Sequence, residues 1–389
     1  MTVESRNGAG GSCTRSAGHD PRLLAWAYLS KVVQGPCPVL SRLVEDVGPE
    51  EAARAVRERD LSEVLGERTV ARSHVDTAAH DLDLVTGMGG RLVTPDDDEW
   101  PRWRLLGFDG LSRSRDDGPP LALWVLGSRS VAELTDRAIS IVGTRAASGY
   151  GEHVTAEISG DLAVDGWTVV SGAAFGVDGA AHRAALGVGG LTVAVLACGV
   201  DRAYPAGHAR LLRQIAQNGV VISEYAPGTA PAKHRFLARN RLVASLSDGV
   251  VVVEAGWRSG ARNTASWARR LGRPVMAVPG PVTSASSTGC HRMIREGEAR
   301  LVANAADVVE EAGPIELREV EDGGAVRDLD ALSGDALLVY EALPAVGSRG
   351  VRELSELSGV EVEQVRAALP LLEMEGFVNS DDTGWSIHR

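Results

Sequence analysis

The sequence has little of what marks several large protein classes. Only four cysteines occur in 389 residues, Cys13, Cys37, Cys198 and Cys290. They form no CxxC pair and no dense framework, which excludes a disulfide-stapled scaffold and fits a reducing cytoplasm. No apolar run reaches the roughly 18 residues that a membrane span needs. Residues 1–20 are polar and rich in Gly and Ser, without the apolar centre of a signal peptide, and read as a disordered tail. A membrane partner is therefore not expected. The nine histidines show no HExxH or comparable ligand spacing, so no metal is expected either. Positive charge is scarce: the formal net charge is −12, which excludes a protein that coats nucleic acid by bulk attraction. Lysine is nearly absent, with only Lys31 and Lys233, so arginine carries almost all the positive charge.

What is present is a local exception to that acidity. Between residues 202 and 241 the charged residues are Arg202, Arg210, Arg213, Lys233, Arg235, Arg239 and Arg241, with Glu224 the one acid among them. Upstream, between residues 139 and 186, one phrase occurs twice: an apolar strand that runs into small residues and then a helix. The first copy is Ile139-Ser140-Ile141-Val142-Gly143-Thr144-Arg145. The second runs from Trp167 through Val169-Val170-Ser171-Gly172-Ala173-Ala174-Phe175-Gly176-Val177-Asp178. A buried parallel strand that ends in glycine lets the backbone approach a ligand closely, and the following helix N-terminus offers free N–H groups to an anion. Arg145 adds a guanidinium at the lip, suited to bidentate capture of a phosphodiester. The expected ligand is a nucleotide or a nucleic-acid backbone.

The expected fold class is α/β: a Rossmann-like, doubly wound parallel sheet flanked by a small N-terminal helical domain and a C-terminal winged-helix domain. Residues 21–90 carry apolar positions at helical spacing, broken at Gly35-Pro36-Cys37-Pro38, and suit a helix-hairpin-helix-like module or a plain packing domain. Residues 91–311 form the Rossmann-like domain. Strands are predicted at 139–143, 167–171, 191–197, 219–223, 249–254 and 274–278, with helices near 149–164, 178–187, 207–217, 237–246, 262–271 and 289–297. An earlier strand is predicted within Leu121 to Gly127. Residues 312–333 read as an acidic linker. Residues 334–389 read as three helices and a hairpin, the order of a winged helix. There Arg349, Arg352, Arg366 and Arg389 face ten acids, and Pro370 should kink the would-be recognition helix, so a protein-contact or structural role is favoured over DNA reading.

A series of motifs gives this organisation a resemblance. In order they are Ile141-Val142-Gly143-Thr144-Arg145, then Ser171-Gly172 through His182, Cys198-Gly199 with Tyr204-Pro205, and Ser223-Glu224-Tyr225. Arg239-Asn240-Arg241, Glu254-Ala255 with Ser259-Gly260, and Val278-Pro279-Gly280 follow. The series resembles the bacterial DNA-processing protein A family, also called Smf. The resemblance implies a non-catalytic, cytoplasmic role without a cofactor: binding incoming single-stranded DNA, handing it to the recombinase RecA in transformation and recombination, and forming a homodimer. It also implies that Arg145 contacts phosphate and that Lys233, three residues before the aromatic Phe236, lines the same pocket.

The residues themselves support that assignment. Single-strand binders join a positive groove to aromatic faces on which bases stack, and Phe236 lies between Arg235 and Arg239. Arg239, Asn240 and Arg241 are expected at a helix start, where three consecutive polar side chains cannot all face a core. At least one arginine should point to the crevice, the other being free to pair with Glu254 or Asp178. Phosphates are expected on Gly143, Arg145, Gly172 and Lys233, Thr144 and Ser171 are expected among the DNA-binding residues beside them, and Ser259 and Gly260 open a further loop-to-helix anion site. Asp178 and His182 stand four residues apart and resemble an acid–base pair, but an N-cap role for Asp178 and packing under the sheet edge for His182 explain them better. Ser171 lacks a G-x-S-x-G elbow. His208 replaces the family's usual Asn after Tyr204-Pro205. The rival is a nucleotide-binding or nucleotide-processing enzyme like the lysine-decarboxylase-like phosphoribohydrolases. It is disfavoured because Pro279-Gly280-Pro281 lacks their Pro-Gly-Gly-x-Gly-Thr loop.

Overall fold

A computed structural model describes residues 18–111, 117–313, 332–344, 347–374, 376–381 and 384–387. Residues 1–17 of the predicted N-terminal tail and most of the acidic linker lie outside these. The chain divides between Pro314 and Ile315 into two compact units.

The first unit is built on a nine-stranded sheet. In chain order its strands are β1 (Gly90–Val93), β2 (Leu123–Leu126), β3 (Ala138–Val142), β4 (Thr168–Ser171), β5 (Thr192–Val195), β6 (Val220–Ser223), β7 (Gly249–Val252), β8 (Val275–Ala277) and β9 (Arg300–Leu301). In space they run β1-β2-β6-β5-β4-β3-β7-β8-β9. From β6 to β9 every pairing is parallel. Helices Gly149–Val164, Val177–Gly187, Ala209–Asn218, Lys233–Ser245, Ala261–Arg270 and Thr288–Arg295 make the crossovers. Strand order reverses direction between β3 and β7, so the switch point falls where the first glycine phrase ends. The sheet is mixed rather than wholly parallel, because β2 pairs antiparallel with β6 and β1 antiparallel with β2.

Consecutive valines show why the strands read as continuous apolar runs. Val170 and Val252 pack on one face with Leu242 and Ala268, whereas Val169 and Val251 pack on the other with Ile158 and Ala181. Period-two side chains buried on both faces favour apolar residues, and the polar exceptions bond to backbone, as when Ser140 Oγ donates to Val243 O at 2.7 Å and Thr192 Oγ1 to Val169 O at 2.6 Å.

The helical segment comprises Pro21–Val33, Pro38–Val47, Pro49–Glu58, Glu63–Thr69 and Ala78–Gly87. Proline opens the first three, where its missing N–H is no loss. The segment shares a core with the sheet through Trp124 of β2, which is fully buried and donates its indole N–H to Ser30 Oγ at 3.3 Å. Truncating such an aromatic typically costs about 3–5 kcal/mol.

The second unit contains helices Gly334–Glu341, Val351–Ser358 and Val362–Met374, followed by the antiparallel pair β10 (Val378–Asp381) and β11 (Gly384–Ile387). Val339, Leu354, Val365, Leu369, Leu372 and Val378 form its core. The last helix continues through Pro370.

Candidate nucleic-acid interface

The ends of β3 and β4 lock together before any side chain is considered. Beyond β3, Thr144 N donates to Glu254 O at 2.7 Å, tying the turn to the end of β7. A Cβ on Gly143 would lie 2.5 Å from Val177 Cγ2, so only glycine fits there. Beyond β4, Gly176 has φ +74° and packs so closely that a Cβ would sit 2.3 Å from Thr144 O and 2.7 Å from the carbonyl of Arg145. The two loops therefore touch backbone to backbone. Glu254, itself buried, accepts from Ser148 N at 2.9 Å, from Ser148 Oγ at 2.6 Å and from Ser286 Oγ at 2.9 Å. This carboxylate fixes the far side of the Arg145 turn.

Arg145 is left exposed on that rigid base, with its guanidinium 5.2 Å from the centroid of the Phe236 ring, in cation–π range. Phe236 is half-buried and leans on Tyr204 at 5.3 Å. Lys233 opens the same helix one turn earlier, on the face of Phe236, and is exposed. Among the described residues it has no ion-pair partner. The other lysine differs: Lys31 is bound to Asp81 at 2.9 Å and to Pro227 O at 2.7 Å.

One turn further, Arg239 is only 5% exposed and lies against Gly172, where a Cβ would come within 1.5 Å of its guanidinium. It donates to Val195 O at 3.0 Å, while its Nε has no hydrogen-bond partner. Asp178 is buried nearby and accepts from Ala174 N at 3.4 Å. Burial is the largest influence on both groups, raising the Asp178 carboxyl and lowering the Arg239 guanidinium, and each opposes the shift of the other.

Several expectations change here. The helix begins at Lys233 rather than near 237, so Arg239, Asn240 and Arg241 lie in its interior and not at its start. Both arginines are buried. Arg241 is fully enclosed and makes a bidentate pair with Glu224, at 3.0 and 2.7 Å, instead of meeting Glu254 or Asp178; its Nε also donates to Gly118 O at 2.9 Å. Arg235 turns away from the lip to Gln34 Oε1, at 2.9 Å, and to Ala230 O. Asn240 donates to Asn263 Oδ1 at 3.2 Å. Ser171 is buried, its hydroxyl donating to Ile141 O at 2.6 Å. Ser259 Oγ accepts from Ala261 N at 3.3 Å, and Gly260 is the exposed N-cap of Ala261–Arg270. Gly143, Thr144, Arg145, Gly172, Phe236 and Arg239 are thus the predicted residues that meet at the ends of β3 and β4, with Lys233 one turn before Phe236 on the same helix.

The apparent acid–base pair is not one. Gly176, not Asp178, is the N-cap of Val177–Gly187. His182 is fully buried and meets Thr192 Oγ1 through Nδ1 at 2.7 Å; burial, followed by nearby His208, Arg239 and Arg183, holds its pKa down to about 3. Among the described residues no group of three or more His, Cys, Asp or Glu side chains is placed to hold a metal ion, and no helix is long and apolar enough to cross a membrane.

Sequence reasoning passed over Phe175 and the role of His208. Phe175 is 50% exposed, and its ring meets His208 edge-on at 4.7 Å. His208 is buried, and its Nδ1 donates to Ala173 O at 3.0 Å. The replacement of Asn by His at this position thereby gains a physical reading as a brace. The available signal was an aromatic set in a glycine-rich strand-end loop, where no core needs it.

Backbone-locked glycine loops at a switch point, rimmed by exposed cations and aromatic rings, are the features of an α/β protein of the nucleotide- or nucleic-acid-binding class. Comparison with known proteins makes this specific. Residues 91–313 match the family described as DNA recombination-mediator protein A. The chain is 51% identical over 372 residues to the putative DNA processing protein DprA of Mycobacterium tuberculosis, covering 95% of each. It is 32% identical over 348 residues to protein Smf of Synechocystis, covering 86% of this chain and 82% of that one. Among solved structures it is similar to DNA processing protein A from Streptococcus pneumoniae, with 31% identity and a TM-score of 0.61, over 76% of this chain and 98% of that one. The chain belongs to the DNA recombination-mediator protein A family.

Proposed function

We propose that the lip formed by Arg145, Lys233 and Phe236, above Gly143, Gly172 and Arg239, binds single-stranded DNA without sequence preference and without catalysing a reaction on it. The observation that carries this reading is the Arg145 guanidinium poised 5.2 Å from Phe236 on a glycine-locked strand end. Phosphates seat on the cations and backbone N–H groups, while an unpaired base meets the ring; a duplex keeps its bases stacked internally and cannot offer one. The non-enzymatic assignment is supported by the Ser171 hydroxyl being committed to Ile141 O and by His182 bonding Thr192. Family membership supports a role in transformation and recombination in the cytoplasm, with RecA and a second copy of the chain as partners. The second unit suits a winged helix that contacts protein or serves structure. Its Arg349 and Arg366 are held by Glu353 and Glu363, at 3.4 and 3.1 Å.

The test is an anisotropy titration with oligo-dT and with a duplex of equal length. Binding should favour the single strand and weaken with salt by about 0.7 log units per phosphate contact. Arg145→Ala and Lys233→Ala should each lower both affinity and salt slope. Equal affinity for the two strand forms would remove the crevice from the mechanism.

A further inference from the structure

We infer that Phe175, braced by His208, is a second base-stacking platform, separate from Phe236, that takes an unpaired nucleobase of the same strand. The inference rests on the single-strand reading of the crevice and adds a subsite to it.

The argument begins with how the ring is held. Phe175 sits in the loop after β4, and half its surface faces solvent. Beneath it lie Gly207, where a Cβ would come within 3.2 Å of the ring, and the edge of His208 at 4.7 Å and 68°. His208 cannot yield: it is fixed to Ala173 O at 3.0 Å and pressed against Gly179, where a Cβ would lie 2.6 Å from its Cε1. A large apolar ring supported from below and half exposed carries an exposure cost that a flat π-surface of the ligand removes.

Position supplies the second argument. Tyr204 precedes and His208 closes one short turn, Ala206–His208, so the pairs Tyr204–Phe236 and Phe175–His208 are joined through it. Arg145 ties the two loops: its guanidinium meets Phe236, and its backbone carbonyl lies against Gly176, the chain neighbour of Phe175. A strand whose phosphate engages Arg145 therefore passes between two aromatic surfaces. Every base has a π-face, so the second platform adds affinity without adding sequence preference.

The experiment compares oligo-dT with an abasic oligonucleotide of the same length, using the full chain and the variants Phe175→Ala, Phe175→Leu and Phe175→Tyr. Alanine and leucine should weaken oligo-dT binding by about 5- to 100-fold and leave the abasic strand unaffected, while tyrosine should retain wild-type affinity. Leucine keeps an apolar volume over His208, so a loss shared by alanine and leucine identifies the ring rather than the packing. Unchanged oligo-dT affinity in both, or equal losses on oligo-dT and abasic strands, overturns the platform. A wild-type chain that fails to prefer single over double strands overturns the parent reading, an outcome recorded before any Phe175 variant is compared.

Discussion

The lip of the crevice and its floor use the same residue types for opposite ends. Arg145 and Lys233 at the lip are exposed and, among the described residues, without carboxylate partners. Arg239 and Arg241, both about two turns along the helix from Lys233, are 5% and 0% exposed. Arg241 is neutralised by Glu224, so its charge is spent inside the fold. Arg239 stands between the two regions, buried like the floor yet carrying an unpaired Nε beside Gly172. An arginine's meaning here comes from what it faces, not from the motif that contains it.

That contrast can be broken at the floor first. Glu224→Ala leaves Arg241 buried and unpaired, and such an uncompensated charge typically costs about 3–5 kcal/mol; urea unfolding should show a loss of that size. A Glu224 variant of wild-type stability would make the floor dispensable. His182 gives the next largest effect. Its ring is neutral in the fold, with a pKa held down to about 3, below the ordinary value of about 6.5. Its stabilising contribution is complete above about pH 6.5 and is lost as pH falls towards about 3, because the unfolded chain takes up the proton first. Denaturation midpoints measured from pH 7 down to pH 4 should fall in the wild type and fall less steeply in His182→Gln.

At the lip the prediction reverses. Arg145→Ala should reduce oligo-dT affinity about tenfold and flatten the salt dependence by about 0.7 log units, with unfolding free energy within about 0.5 kcal/mol of wild type. A large loss of stability instead would place Arg145 with the floor. The smallest effect belongs to the second unit, where Arg366 makes only an exposed pair with Glu363 at 3.1 Å. Arg366→Ala should change stability by less than about 1 kcal/mol and leave oligo-dT affinity unaltered.

Much of this was legible in the sequence, and the exceptions have physical causes. The parallel strands and crossover helices announce themselves because both faces of the sheet are buried, as Val169 and Val170 show. The start of the Lys233–Ser245 helix is not announced. Its first turn is Lys233-His234-Arg235-Phe236, whose cations interrupt the apolar period, and Ala232 at the N-cap supplies no capping side chain. That misplaced boundary also put Arg239 and Arg241 at a helix start and hid their burial. The partner of Arg241 was equally hidden: Glu224 is 17 residues away along the chain and meets it only because β6 and the helix that follows pack together. Strands β1 and β2 escaped the parallel scheme because four-residue strands near one end of the sheet carry too few residues to declare a direction. The residues at the ends of β3 and β4 were the easiest to find, since glycines with no room for a Cβ are a signal of backbone geometry.

The contact of Gly176 with the carbonyls of Thr144 and Arg145 has a consequence for kinetics. Two loops wedged against each other have already surrendered their motion when the chain folds, so an arriving strand meets a receptor that needs no rearrangement. The ordering entropy of association then falls on the polynucleotide. Capture should be governed by the stiffness of the incoming strand, with a flexible thymine tract captured faster than a self-stacked adenine tract of equal charge.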